Sequence, residues 1–111
     1  MDSQESPIAV FLPRLAERAR FAAEKMQKAD CVTTDRLLLG LNCFEPGQHQ
    51  RIHEHAGADK FYLVLSGKAK VVVGSDARDV VAGDLVFAPA GVTHGVETAY
   101  ERTVMLVGMT R

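Results

Sequence analysis

The sequence predicts a small all-β barrel or sandwich of the jelly-roll kind, led by one N-terminal α-helix. Three observations carry this. From about Cys31 onward, short apolar runs alternate with turn residues at close intervals, the texture of a sandwich or barrel rather than of βαβ units. Seven or eight such runs fit the rest of a 111-residue chain, which suits one jelly roll. Ahead of them, a single stretch keeps a helical period.

That helix is expected over residues 13–28. Pro13 suits a first helical turn, where its missing amide hydrogen costs nothing. Leu15, Ala19, Ala22 and Met26 form one apolar stripe, Ala16 and Ala23 widen it, and Glu24 and Lys28 make an i,i+4 pair. With the polar start it forms an N-terminal arm, residues 1–30, ahead of a barrel at 31–111. Strands are expected at 37–44, 49–55, 61–65, 69–73, 78–81, 85–88 and 104–109. Their closing signals are Pro46-Gly47, Ser66-Gly67, Gly74-Ser75-Asp76, Gly83-Asp84, and Pro89 with Gly91. Phe61, Leu63 and Leu65 alternate with Tyr62 and Val64, so one set faces the lumen. The run Leu37, Leu38, Leu39 is apolar on both faces, which predicts a cover over the sheet exterior. The N-terminal helix or a second subunit provides it, and a homodimer is expected.

Composition excludes several functions. Thirteen Lys+Arg against 14 Asp+Glu give a net charge of -1, with no broad field for nucleic acid or an anionic membrane. No apolar run approaches the ~20 residues of a membrane helix, and the run at 8–12 is too short for a secretory signal core. A cytoplasmic location is therefore expected, with Cys31 and Cys43 reduced and acting as small hydrophobes. No GxSxG, GxGxxG or P-loop pattern occurs.

The four histidines, His49, His53, His55 and His94, are where chemistry concentrates. His53 and His55 are two apart, so on a strand both point to one face. Imidazole suits Fe, Ni, Cu and Zn, although an isolated HxH also fits an exposed pair with no role. The surroundings add a pattern. Gly47, five residues, His53, one residue and His55 lead to a strand ending at Gly67. Gly83, five residues, Pro89-Ala90-Gly91, two residues and His94 make a second block.

These two blocks, in this order and with a short spacer, resemble the paired motifs of the cupin superfamily, in its small, single-domain, RmlC-like form. The resemblance covers roughly residues 36–109. It implies a double-stranded β-helix holding one divalent metal ion (Fe, Mn, Ni or Zn) on His53, His55 and His94. The sequence departs from the pattern where a glutamate ligand normally follows the HxH pair. Counting back from Gly67 reaches Lys60; counting forward from His55 reaches Asp59. An ammonium beside a divalent ion is unfavourable, so three arrangements remain. Asp59 turns inward as fourth ligand, His49 lends one, or three histidines hold the ion with waters completing it. The third is preferred. Thr98 also stands where the second motif often has asparagine, a position that is usually not a ligand.

Lys60 reads first as a solvated charge at a strand entrance and second as a cation gripping a substrate carboxylate. Arg51, on the parity of the histidines, reads the same way, as an exterior charge, or as an intersubunit salt-bridge partner. Tyr62 reads as a core or interface residue, or as a hydrogen-bond donor lining the pocket. The functional expectation is metal-assisted chemistry on a small organic molecule inside the barrel, with dioxygenase, isomerase and decarboxylase all open. Asp59 or Glu54 is the available base, and no catalytic residue is assigned. The competing readings are a non-catalytic small-ligand module, favoured by Lys60, and a purely structural barrel.

Overall fold

The computed structural model describes residues 9–111; the polar opening of the expected arm, residues 1–8, lies outside them. Nine strands are present among the described residues. They are β1 (Gln27–Thr33), β2 (Leu37–Phe44), β3 (Gln50–His53), β4 (Lys60–Ser66), β5 (Lys68–Val73), β6 (Asp76–Val81), β7 (Leu85–Ala88), β8 (His94–Ala99) and β9 (Thr103–Thr110). They pair antiparallel in two sheets, ordered β1-β2-β9-β4-β7 and β3-β8-β5-β6. The expected all-β jelly roll is the observed architecture.

The core lies between the sheets. Phe44, Tyr62, Val64 and Met105 of the first sheet meet Ala69, Val71, Val80, Val96 and Ala99 of the second, all buried. The period-2 pattern places them: Tyr62 and Val64 point in, while Phe61, Leu63 and Leu65 stay half-exposed outside. Burial of these side chains is the main stabilising term, each worth roughly 1.5–3 kcal/mol for the larger ones.

Turn chemistry behaves as expected. Gly47, Gly67, Gly83 and Gly91 all have φ between 80° and 95°. At Gly67 the constraint is doubled, because a Cβ there would also collide with the carbonyl oxygen of Arg102. Pro89 opens a turn, its carbonyl accepting from Val92 N at 3.1 Å.

The expected helix over 13–28 does not form. Only Leu15–Arg18 turns, as a short 3-10 segment, and Gln27 and Lys28 already belong to β1. The reason is tertiary. Leu15, Ala19 and Phe21 pack on the cluster of Leu41, Cys43 and Val104, whereas Met26 packs on the inter-sheet core. Leu41 and Cys43 share one face of β2, and Phe44 lies on the other. A single helical stripe cannot serve both faces, so residues 19–26 run as an irregular strap over the sheet edge. The strap covers Leu41 and Cys43 further along β2, while Leu37 of the Leu37–Leu39 run stays 36% exposed. Cys31 and Cys43 are both free thiols.

Side chains fasten the strap. Gln48 donates from Nε2 to the carbonyl of Ala22 at 2.7 Å, and its Oε1 accepts from Glu45 N at 2.9 Å. Arg102 grips the Glu45 carboxylate with two nitrogens, at 2.9 and 2.8 Å, and lies 4.0 Å over the Phe21 ring. Among the described residues, no helix is long and apolar enough to cross a membrane.

Replacing Gln48 by Ala removes the bonds to the strap and to Glu45. It is expected to destabilise the fold by about 1–2 kcal/mol. The strap should open first, so limited trypsin digestion should cut sooner after Arg18, Arg20 and Lys25. An unchanged cleavage rate would show that Gln48 does not hold it.

Candidate metal centre

Strand register builds the site. His53, the last residue of β3, pairs directly with His94, the first of β8. The two strands approach closely because residue 95 is glycine. A Cβ there would stand 2.8 Å from the Gln50 carbonyl oxygen and 3.0 Å from that of Arg51. His55 lies two residues beyond β3, and its carbonyl accepts from Gly91 N at 3.0 Å. That bond ties the HxH segment to the turn preceding His94.

The three imidazoles converge. One ring nitrogen from each of His53, His55 and His94 falls in a group spanning no more than 4.8 Å. Ring centroids are 4.6 Å apart for His53–His94, 4.9 Å for His53–His55 and 5.6 Å for His55–His94. Two rings have a fixed tautomer. His53 Nδ1 lies 2.7 Å from the Arg51 carbonyl, and His94 Nδ1 lies 2.9 Å from that of Val92. A carbonyl only accepts, so Nδ1 carries the hydrogen and Nε2 keeps a free lone pair. His94 Nε2 is fully buried and has no partner within the protein. Burial pushes His94 and His55 below the ordinary histidine range, and the nearby His53 and Lys60 charges push the same way. Neutral imidazole with an aimed lone pair is the form a metal binds, so the donor set fits a divalent ion.

Neither alternative fourth ligand, His49 or Asp59, falls within that group. His49 is exposed and precedes β3, and the register shift between Gln50 and His53 breaks the parity that would align it with the pair. The Asp59 carboxylate instead accepts from Ala90 N at 2.9 Å, holding one loop to another. Among the described residues no carboxylate completes the cluster.

His53 and His55 open onto a cleft of about 1160 Å³ between the strap and the two sheets, which His49, Arg51 and Lys60 also line, with His94 buried behind them. Arg51 and Glu54 are exposed at its mouth. Lys60 corrects its first reading. It is only 5% exposed and makes no salt bridge or hydrogen bond among the described residues; its ammonium sits 5.0 Å over the Tyr62 ring. Lys60 starts β4 on the inward parity of Tyr62 and Val64, which is why it is buried. Burial, helped by the charge of Lys28, lowers its pKa to about 8. Tyr62 is a core residue whose hydroxyl donates to Gln50 Oε1 at 2.7 Å, and burial pushes its phenol upward. Gln50 and Asn42 also line the cleft from buried positions. Neither was singled out in the sequence, although a polar Asn42 inside Leu41-Asn-Cys43-Phe44 was a visible signal.

A jelly-roll barrel with a three-histidine cluster at its open cleft defines a class of small β-barrel proteins. The Cupin domain family model matches residues 40–109, and the chain belongs to that family. An uncharacterised protein of Streptomyces coelicolor is 38% identical over 56 residues, which is 50% of this chain and 52% of that protein. The chain therefore matches about half the length of this curated relative. The crystal structure of TT1209 from Thermus thermophilus has a TM-score of 0.83 at 37% identity, covering 86% of this chain and 92% of that one. An RmlC-like cupin from Desulfovibrio desulfuricans has a TM-score of 0.82 at 22% identity, covering 92% and 97%; this likeness is one of fold.

A buried, unpaired lysine should cost stability. Lys60→Met keeps the shape and removes the charge, so at pH 7 the variant should be more stable, by on the order of 3 kcal/mol. The Lys60 pKa is lowered on folding, to about 8. Below that pH both folded and unfolded wild type carry the charge, and the full penalty stands. Between about pH 8 and pH 10.4 the folded state sheds a proton that the unfolded state keeps, so wild-type stability rises. Denaturant melts at pH 7 and pH 10 check this, and the gap should shrink at the higher pH.

Proposed function

We propose that this cupin binds one divalent metal ion through His53, His55 and His94 and acts on a small organic molecule in the adjoining cleft. The observation that carries this is the grouping of one ring nitrogen from each of the three histidines within 4.8 Å, supported by carbonyl bonds to Nδ1 of His53 and His94 that leave Nε2 of each free to ligate. A bound ion supplies Lewis acidity or oxygen activation, and three protein ligands leave positions open to substrate. Fe, Mn, Ni and Zn all suit the donors. Dioxygenase, isomerase and decarboxylase chemistry are each compatible. The protein's own residues provide the orientation: Gly95 lets β3 sit against β8, and the Arg51 and Val92 carbonyls hold the rings. Glu54 at the mouth shares the cleft lining with the carboxylates of Glu24 and Asp30 and is the one set between His53 and His55 in the chain. The alternative is a non-catalytic ligand-binding cupin. The cation at Lys60 in place of an acidic ligand favours it, because it weakens the hold on an ion.

Elemental analysis tests the metal reading. Wild type loaded with Zn, Mn, Ni or Fe and then desalted should retain close to one ion per chain, and His53→Ala and His94→Ala should lose it. The loaded protein should also melt higher than the chelator-treated one, since binding to the folded state alone stabilises it. Wild type that retains none of the four overturns the proposal.

We further propose a cytoplasmic homodimer formed through the sheet exterior. Leu85 and Phe87 on edge strand β7 are 64% and 57% exposed and lie on one face. They sit opposite half-exposed Leu63 and Phe61 of β4, so the four side chains make one apolar patch. Light scattering after size exclusion should give twice the chain mass at micromolar concentration, and Phe87→Lys should give a monomer.

A further inference from the structure

Beside the histidines the cleft carries a second group of polar side chains with one chemical character. Asn42, Gln50 and Lys60 are 4%, 7% and 5% exposed, and all three line the cleft. Asn42 Nδ2 and Gln50 Nε2 are fully buried and have no hydrogen-bond partner within the protein. Lys60 Nζ rests over the Tyr62 ring with no carboxylate on it among the described residues. The orientation of Gln50 is set: its oxygen is taken by the Tyr62 hydroxyl, which leaves its amide hydrogens as the free function. The fully buried unmet atoms of these three residues are the amide nitrogens of Asn42 and Gln50, and the Lys60 ammonium adds a positive charge at the cleft wall.

Buried donors without acceptors are costly, by roughly 1–3 kcal/mol each and more for a charge. A barrel with apolar side chains at these three positions would avoid that cost. The arrangement calls for an incoming ligand rich in acceptors and negatively charged. We infer that the cleft recognises a small carboxylic acid, whose carboxylate is held by Lys60 Nζ and Gln50 Nε2, with Asn42 Nδ2 meeting a further oxygen. This deepens the proposed function by naming its substrate class, and it rests on that reading only for what the histidines do. The anchoring itself needs no metal. Charge-assisted hydrogen bonds are the stronger kind, and their geometry gives the orientation that chemistry beside the histidines requires.

Calorimetry and amide chemical shifts at pH 7 with malonate and glutarate, each against its uncharged diamide, test this on chelator-treated and on metal-loaded protein. The expected result is binding of at least one diacid, no binding of its diamide, and a loss of about tenfold or more in Lys60→Met. Gln50→Glu, which keeps an acceptor for Tyr62 but replaces the free donor with a charge, should abolish binding; it serves if Lys60→Met fails to fold. Binding that appears only with metal and is unaltered in both variants overturns the inference, because the carboxylate then sits on the ion. Equal response to diacid and diamide, or none to either diacid in both forms of the protein, also overturns it. Failure to retain metal overturns the metal proposal alone and leaves this result readable.

Discussion

The pairing of His53 with His94 across β3 and β8 is the constraint on which the site depends. It sets two ring centroids 4.6 Å apart before any ligand is considered. A slip of one residue would turn either ring to the opposite face. Several local features serve this pairing. Gly95 removes the side chain that would hold β3 away, and the register shift in β3 decouples Gln50 from the strict alternation of the histidines. The loop bond between the His55 carbonyl and Gly91 brings in the third ring. Three imidazoles from two separate segments thus owe their meeting to backbone geometry.

The same barrel divides its interior between two tasks. Toward one end the inter-sheet core is apolar, built on Phe44, Val64, Val96 and Met105. Toward the cleft the inward positions turn polar, with Asn42, Gln50, Lys60 and His94 all buried. Polar burial opposes folding unless partners satisfy it, so the apolar end must offset the cost. Tyr62 joins the two regions. Its ring belongs to the core and lies beneath the Lys60 ammonium, while its hydroxyl reaches Gln50. Such local departures from the apolar rule are where a fold gives up stability for function.

Much of this was legible in the sequence, for identifiable reasons. β2, β4, β5 and β7 are apolar runs closed by Gly or Pro, β6 ends in an apolar pair ahead of Gly83, β9 is an apolar run, and the turn glycines fall at positions of positive φ. The HxH pair and the distant His94 carried the cluster. Other features depend on contacts that periodicity does not encode. β1, as Gln-Lys-Ala-Asp-Cys-Val-Thr, has too few apolar residues to stand out, and β8 opens with His-Gly. The strap mimics a helical stripe because Leu15, Ala19 and Met26 happen to share the period, yet they serve opposite faces of a sheet. The burial of Lys60 required knowing that β4 begins there, since a lysine at a loop end is otherwise solvated.

The departure from the family pattern at Lys60 and the unmet donors around it have one explanation rather than two. Three neutral histidines would leave a bound divalent ion's charge uncompensated, and a buried ammonium nearby would add to that field. A protein carboxylate at this position would offset half of a divalent ion's charge. With Lys60 there instead, neutralisation falls to whatever occupies the cleft. An anionic molecule would meet the ammonium, the Gln50 and Asn42 amides and the histidine side of the cleft together, so each favourable contact would be made only when it is present. Binding and partial charge compensation would then coincide, and a neutral molecule of the same shape would be disfavoured because it offers the ammonium and amides no charged acceptor. On this view the missing acidic ligand is a selectivity device written into the first residue of β4.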